Sequence, residues 1–337
     1  MEVVMEHSVF RSWLSKVDDL SPSQRVELEA VLAGRPPRAA VTAVVEARQD
    51  DQRRCPHCGQ EESVARGRAD GLRRFRCKPC GKSFNALTGT PLARLRKKER
   101  WLDFSRSLSE GDTVAASAER CGVAVSTAFR WRHRFLTSKE GNPTLTGIVE
   151  ADEALVLLSF KGSRAWERAA KGLPVAGDLP DRKARKRGGK AAKRGLSHEQ
   201  APILVAANRN GDVISAVLPV DSGDAIKAVL DPVLSKDALL VTDGGKALAN
   251  CAAKMKVSHE VLNQSAGERV RGELHIQTVN SLHSRLKDFL RHRRGVATKY
   301  LGSYLRWFHL TELGSVPTPR DCLNAAIGPQ LRMNVQS

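Results

Sequence analysis

The stretch IVEADEALVLL, residues 148–158, decides the fold class of this chain. Its apolar and β-branched residues predict a buried strand over residues 147–158, which Glu150, Asp152 and Glu153 interrupt. The strand period of two places Glu150 and Asp152 on one face and Glu153 on the other. Carboxylates inside a buried strand are costly unless a partner compensates their charge, and divalent cations commonly do so. We therefore expect this strand to carry part of a metal site.

The elements that follow this strand indicate an α/β fold. Strands at Ile203–Asn208 and Val213–Pro219 are joined through Asn210-Gly211, a strong hairpin signal. The pattern then predicts, in order, a helix at Asp224–Leu234, a strand at Ala238–Thr242, a helix at Lys246–Met255, a strand at Val257–Val261 and a long helix from Ile276 to about His292. This is the element order of a ribonuclease-H-like fold, in which helices flank a mixed sheet. We assign residues 144–315 to such a core.

That element order brings distant polar residues to one place. The end of the fourth strand lies beside the middle of the first, so Asp243 is expected near Asp152 although 91 residues separate them. Two carboxylates so placed can bridge two Mg2+ or Mn2+ ions. The last helix would add Asn280 to the site, with His283 and Lys287 on the same face. We expect Lys287 to hold a phosphate near the scissile bond.

Each of these residues, taken alone, also fits a structural role. Asp243 precedes Gly-Gly and could be a helix N-cap, and Asn280 and Lys287 could be ordinary polar helix residues. The third metal ligand also has rivals: Glu268 or Glu273, just before the last helix, could supply a carboxylate while Asn280 only positions the helix.

Four cysteines predict a zinc ribbon within residues 51–90. The knuckles Cys55-Pro-His-Cys58 and Cys77-Lys-Pro-Cys80 are separated by eighteen residues, with a turn signal at Asp70-Gly71 and a strand at Leu72–Arg76. Ligands Cys55, Cys58, Cys77 and Cys80 would form a closed tetrahedral site, which makes the zinc structural. His57 is expected to face solvent. Because the other cysteines are scattered, we expect a reducing compartment with no disulfide framework.

Residues 91–140 predict a helix-turn-helix region that binds DNA. A helix at Leu95–Leu108 precedes a short helix within Asp112–Cys121, a turn with Gly122, and a second helix that Ser126 caps. The second helix carries three arginines that we expect to meet phosphates and base edges in a major groove: Arg130, Arg132 and Arg134. Any two amphipathic helices can mimic this pattern.

The overall charge also favours a polyanionic partner. The chain has 55 Lys+Arg against 37 Asp+Glu, a net charge of +18 and a pI near 10.0. Charge alone also fits a ribosome-associated protein or a merely soluble basic protein. Arg182–Arg194 holds eight basic residues in thirteen and predicts either a solvated tether or a loop whose Arg185, Lys186 and Arg187 follow DNA phosphates.

No apolar run reaches the roughly 20 residues of a membrane span, and no signal peptide is evident, so we expect a cytoplasmic protein.

The chain resembles the bacterial insertion-sequence 1595 family of DDE-type transposases. The resemblance covers roughly residues 20–312 and rests on the motifs CPHCG, RFRCKPCGKSFNALTGTPLARLRKKERWL, IVEADE, VTDGG and HIQTVNSLHSRLKDFLRHRRGVATKYLGSYLRW. It implies two catalytic aspartates, a variable third residue and a lysine, which correspond here to Asp152, Asp243, Asn280 and Lys287. Asparagine is neutral, so this metal site has one negative charge fewer than a site with the commoner glutamate.

The resemblance also implies an activity and its partners. Such an enzyme binds the inverted terminal repeats of its element, hydrolyses the 3′ ends and joins them to target DNA, and we expect it to act as a homo-oligomer on double-stranded DNA. The domain prediction is a helical segment at 1–50, the ribbon, the helix-turn-helix region, the core and a tail at 316–337. Two alternatives remain: a metal-dependent nuclease or resolvase without strand transfer, and a DNA-binding regulator with an inactive core.

Overall fold

The chain forms two compact units in a computed structural model. Unit one comprises residues 1–140 and 310–337, and unit two comprises residues 141–309. The structure describes residues 6–17, 19–20, 25, 28, 37–50, 54–137, 143–175, 191–193, 195–263, 266–313 and 317–328. Within these ranges no helix has the length and apolar character needed to cross a membrane.

Unit one begins with two helices, α1 at His7–Leu14 and α2 at Pro37–Asp50. Both lie in the segment that the sequence predicted to be helical, residues 1–50. Proline suits the first turn of a helix because the N–H that it lacks has no helical partner there. Val41, Val44 and Val45 then bury one helical face. Most of residues 18–36, between these two helices, lies outside the described residues.

The ribbon is a three-stranded antiparallel sheet of β1 Ser63–Ala69, β2 Leu72–Cys77 and β3 Ser83–Phe84. Asp70 and Gly71 connect β1 to β2 with positive φ angles of 52° and 82°, as a tight hairpin turn requires. The predicted turn and strand are therefore confirmed. Phe75 and Phe84 stack at 5.7 Å and form a small core with the cysteines.

Three helices follow the ribbon: α3 Trp101–Ser109, α4 Val114–Cys121 and α5 Val125–Phe135. The first begins later than predicted, because Arg94 and Lys97 have positive φ angles that a helix cannot contain. Gly122 ends α4 in the left-handed conformation, as the turn prediction requires, but the N-cap of α5 is Ala124 and not Ser126. Edge-to-face aromatic contacts of Trp101 and Phe104 with Trp131 and Phe135 hold α3 and α5 together.

The predicted C-terminal tail contains a further helix of unit one, α11 at Pro319–Ile327. Thr318 and Asp321 form a reciprocal capping box at its start. Leu323 and Ile327 are buried, and the helix packs against α3. The spacing Cys322, Leu323, Ala326, Ile327 was the signal that the prediction of an unpatterned tail missed.

Unit two contains a mixed sheet of five strands. The strands are β4 Ile148–Leu157, β5 Gln200–Asn208, β6 Val213–Val217, β7 Leu239–Thr242 and β8 Ser258–Val261. Their order across the sheet is β6-β5-β4-β7-β8. The first three strands pair antiparallel, whereas β7 pairs parallel to β4 and β8 parallel to β7. The predicted α/β class with a mixed sheet is confirmed.

The helices described in this part of the chain are α6 Ala165–Ala170, α7 Gly223–Leu230, α8 Lys246–Met255, α9 Gln277–His292 and α10 Leu301–Glu312. A short hairpin of β9 Val270–Arg271 and β10 Leu274–His275 precedes α9. The main core lies between the sheet and helices α7 and α8, and it includes Val149 and Ala151 of β4. Because side chains alternate along a strand, Glu150 and Asp152 point to the opposite face, toward α9.

Candidate active site and cysteine cluster

The four cysteines of the ribbon bring their sulfur atoms together. Cys55 Sγ lies 3.7 Å from Cys80 Sγ, and Cys58 Sγ lies 3.5 Å from Cys77 Sγ. All four sulfurs lie within 4.8 Å of one another, and none of the four cysteines is in a disulfide. Zinc–sulfur bonds of about 2.3 Å in a tetrahedron separate the sulfurs by about 3.8 Å. The quartet therefore has the spacing of a tetrahedral zinc site and could bind that ion.

Each cysteine knuckle is a tight turn closed by a backbone hydrogen bond. Gly59 N–H donates to the Cys55 carbonyl at 2.8 Å, and Gly81 N–H donates to the Cys77 carbonyl at 3.0 Å. Both glycines have positive φ angles, 78° and 68°, which cost glycine little. His57 lies outside the quartet, with Nε2 3.4 Å from the Ser83 carbonyl oxygen.

The structure brings Asp152, Asp243 and Lys287 together in unit two. Asp152 is on β4 and Asp243 follows β7, the parallel neighbour of β4. Burial, and next the charge of Asp243, raise the pKa of Asp152 to about 6, while the charge of Lys287 acts to lower it. A carboxylate whose ionised form is disfavoured by a neighbouring carboxylate is suited to share a cation with it.

The two glycines after Asp243 make room for its carboxylate. Gly244 has a φ of +88°, and a Cβ there would come within 2.7 Å of Val261 Cγ1. Gly245 N–H donates to Asp243 Oδ1 at 2.9 Å, which fixes the carboxylate's orientation. A Cβ on Gly245 would lie 3.3 Å from the same oxygen. A side chain at Gly244 would therefore be strained, and one at Gly245 would press on the Asp243 carboxylate.

Glu153 and Asp221 extend this acidic site, and the sequence reasoning missed both. Burial, and then the charges of Asp221, Asp152 and Asp243, raise the pKa of Glu153 to about 8. The strand period places Glu153 on the other face of β4 from Asp152. Its carboxylate nevertheless lies beside Gly245, where a Cβ would be 4.0 Å from Glu153 Oε2. Asp221 directly precedes Ser222, the N-cap of α7, so its sequence context suggested only a helix start.

Glu150 anchors the start of α9 instead of joining the acidic site. Its buried carboxylate accepts hydrogen bonds from Thr278 Oγ1 at 2.8 Å and from Val279 N–H at 3.1 Å. Arg209, in the turn between β5 and β6, forms an ion pair with the same carboxylate. Glu150 therefore links β4, which carries Asp152, to α9, which carries Asn280 and Lys287.

On α9, His283 is the residue that contacts Asp152. Its Nδ1 lies 3.6 Å from Asp152 Oδ2, and its side chain is buried. Asn280 is exposed, and among the described residues its amide makes no hydrogen bond with either aspartate. The rival carboxylates lie elsewhere: Glu268 pairs with Arg271 at 3.0 Å, and Glu273 is exposed.

The donor set of this site fits a hard divalent cation. Glu153 Oε1 and Asp221 Oδ1 are buried and have no hydrogen-bond partner among the described residues. Together with Asp152 and Asp243 they offer oxygen ligands, which Mg2+ and Mn2+ prefer. Within the described ranges, only the cysteine quartet brings three or more possible ligand atoms within 4.8 Å of one another. The carboxylate oxygens of the acidic site are therefore spaced more widely than the sulfurs.

The predicted DNA-binding arginines differ in their surroundings. Arg130 is exposed on α5. Arg132 is buried and donates to the Asp112 carbonyl at 2.6 Å and to Ser117 Oγ at 3.1 Å, so its assignment as a DNA contact was wrong. Arg134 is exposed but donates to the Ala93 carbonyl at 3.0 Å and to the Pro91 carbonyl. The loop residues Arg185, Lys186 and Arg187 lie outside the described residues.

Comparison with known families supports both parts of this picture. Residues 144–309 match the family described as the ISXO2-like transposase domain, and residues 93–143 match the Homeodomain-like domain. The first range covers the sheet and helices of unit two, and the second covers α3, α4 and α5.

Two individual proteins were also found to be similar. An uncharacterized protein in transposable element ISH50 of Halobacterium salinarum is 27% identical over 262 residues, which cover 76% of this chain and 84% of that protein. The cryo-electron-microscopy structure of the simian T-cell lymphotropic virus intasome in complex with PP2A regulatory subunit B56 gamma contains a chain that matches with a TM-score of 0.27 and 8% identity, over 63% of this chain and 67% of that one. A score that low carries no argument about this fold.

Proposed function

Because this chain belongs to the insertion-sequence 1595 family of transposases, we propose that it catalyses the transposition of a DNA element. It binds the inverted terminal repeats of that element, hydrolyses the 3′ ends and joins them to target DNA. It acts in the cytoplasm as a homo-oligomer on double-stranded DNA. The ISH50 relative is archaeal, so the family membership does not specify a bacterial source.

The strand order supports a ribonuclease-H-like core. In sequence order the five strands of unit two lie as third, second, first, fourth and fifth across the sheet, with the first three antiparallel and the last two parallel to the first. This arrangement puts the end of β7 beside β4, and these are the two positions that carry Asp243 and Asp152.

The proximity of Asp152 and Asp243 is the observation that carries the proposed chemistry. We propose that they hold Mg2+ or Mn2+, with Asn280 as a neutral third ligand. Cations in such a site activate the attacking oxygen and stabilise the leaving one in an in-line phosphoryl transfer. Lys287, whose charge already acts on Asp152, would hold a phosphate beside the aspartates.

We assign DNA binding to unit one and to the basic loop. The exposed start of α5, with Ser126 and Arg130, would enter a major groove. Structural Zn2+ on the cysteine quartet would hold the ribbon, whose exposed Arg66, Arg74 and Arg76 add positive charge. Arg185, Lys186 and Arg187 would follow phosphates without reading sequence.

Incubation of the protein with its own flanking terminal DNA and Mg2+ tests the proposal. Sequencing of the products should reveal 3′ cleavage at the element ends and joining of those ends to target DNA. Asp243→Asn, which keeps the shape of the side chain, should abolish both steps while leaving DNA affinity near normal.

The same assay separates the two alternatives. Cleavage without joined products would identify a nuclease or resolvase and refute transposition. Binding without any divalent-metal-dependent cleavage would identify a regulator with an inactive core.

A further inference from the structure

His283 is a buried polar residue in a position that a packing role does not explain. On α9 it lies three residues after Asn280 and four before Lys287, beside a buried face that is otherwise apolar: Val279, Leu282, Leu286 and Phe289. Its relative exposure is only 7%, and an apolar side chain would satisfy that environment better. The ring instead faces the carboxylate of Asp152.

No described residue uses the full bonding capacity of the His283 ring. A neutral imidazole carries one N–H and one nitrogen lone pair. Nε2 is buried and has no hydrogen-bond partner among the described residues. The side chain therefore retains bonding capacity in a place where an unsatisfied polar atom is costly.

The distance to Asp152 suits a shared cation better than a hydrogen bond. Nδ1 and Oδ2 are 3.6 Å apart, which exceeds the range of a normal hydrogen bond. Neighbouring ligand atoms on an octahedral cation with bonds of about 2.1 Å are roughly 3.0 Å apart, so a small movement of either side chain would bring both onto one ion.

We propose that the His283 imidazole donates its Nδ1 lone pair to the divalent cation that Asp152 holds, while Nε2 carries the proton. The inference rests on the proposed metal-dependent function, because it requires a cation at Asp152. It assigns a mixed nitrogen and oxygen ligand set to the site. Such a set favours transition-metal ions over Mg2+, since Mg2+ prefers oxygen ligands and an imidazole strengthens binding along the transition-metal series.

The test uses Mn2+ alone, added to the full-length protein with its cysteine quartet loaded with Zn2+. Electron spin-echo envelope modulation detects nitrogen bound directly to Mn2+, and selective 15N labelling of histidine identifies the source of that nitrogen. The wild-type protein should give a histidine nitrogen coupling, which Asp152→Asn should remove. His283→Gln should also remove it and weaken Mn2+ binding by roughly tenfold or more.

A matched control is available in unit two. His309 is another largely buried histidine whose pKa is lowered by burial to about 4, but its Nε2 lies 2.8 Å from Ser215 Oγ instead of near the aspartates. His309→Gln should therefore keep the nitrogen coupling. If His283→Gln does not fold, His283→Phe keeps the ring volume in the buried site and removes only the nitrogens.

Absence of histidine coupling in the wild-type protein, or its persistence in the His283 variant, would overturn the inference. A parallel joining assay keeps this result separate from the proposed function. Joining of DNA ends without histidine coupling would retain the transposase and reject the ligand. Histidine coupling without joining would retain the ligand and reject transposition.

Discussion

Arg130 and Arg132 are two residues apart on α5, and this spacing places them in different environments. A spacing of two turns a helix by about 200°, so alternate helical residues face opposite sides. Arg130 is exposed, whereas Arg132 is buried against Asp112 and Ser117. The sequence reasoning grouped three alternate arginines on one DNA-facing surface, which would hold for a strand but not for a helix.

The two arginines should therefore respond differently to the same substitution. Arg130→Ala should weaken binding to terminal-repeat DNA roughly tenfold and leave stability within about 0.5 kcal/mol, because only a surface contact with DNA is lost. Arg132→Ala should lower the free energy of unfolding by about 2 kcal/mol, because it leaves buried hydrogen-bond acceptors without their charged donor. Fluorescence anisotropy with labelled DNA and urea unfolding give the two quantities. Equal effects of both variants on stability would contradict the assignment.

The ribbon is an element whose small core should depend on its ion. Apart from the sulfurs, its core contains only Phe75 and Phe84, so metal binding must supply much of its folding free energy. Cys77→Ser should release the zinc, remove amide protection in β1 to β3 and weaken binding to terminal repeats, while the sheet of unit two stays folded. Metal analysis and hydrogen exchange measure these changes. Lys78→Ser, an exposed change within the same knuckle, is the control and should retain about one zinc per chain.

The start of α9 is a second element with one identifiable anchor. Glu150→Gln keeps the side-chain shape but removes the negative charge. That charge accepts hydrogen bonds from Thr278 and Val279 and pairs with Arg209. Hydrogen bonds to a charged group contribute about 1.5–3 kcal/mol, so exchange of the Val279 amide should become roughly 10- to 100-fold faster. Strand transfer should fall with it, because α9 positions His283 and Lys287. Glu273→Gln, an equal charge change at an exposed position, should alter neither quantity.

The elements show where sequence reasoning succeeds and where it fails. Periodicity and turn residues predicted all five strands of unit two and helix α8, because each has a strong local pattern. Local patterns cannot show which side chains meet at the ends of strands. Glu153 reaches the acidic site beside Gly245, and the charge of Asp221 acts on Glu153. His283 approaches Asp152 because Glu150 fixes the start of α9. Those are tertiary facts with no signature in the neighbouring sequence.

At the scale of the whole molecule, the chain leaves unit one, forms unit two and returns to unit one. The sequence reasoning treated the last residues as a tail, but α11 supplies Leu323 and Ile327 to the core of unit one. A helix of nine residues contributes little stability by itself, so its order must come from packing against α3. The last helix of unit one is therefore synthesised only after the whole of unit two.

This path predicts that the C-terminal residues stabilise DNA binding without touching catalysis. Deletion of residues 317–337 removes α11 and exposes the apolar surface of α3, where Trp101 and Phe104 are fully buried. Hydrogen exchange measured by mass spectrometry should show lost protection in α3 to α5 and unchanged protection in β4 to β8.

Deletion of residues 329–337 keeps α11 and is the control, so it should behave as the full chain does. Loss of protection in β4 to β8 would mean that the two units do not fold independently. Unchanged protection in α3 would mean that α11 contributes nothing to the core of unit one. With α11 removed, affinity for terminal repeats should fall together with the protection of α5, whereas Mn2+ binding at Asp152 should persist.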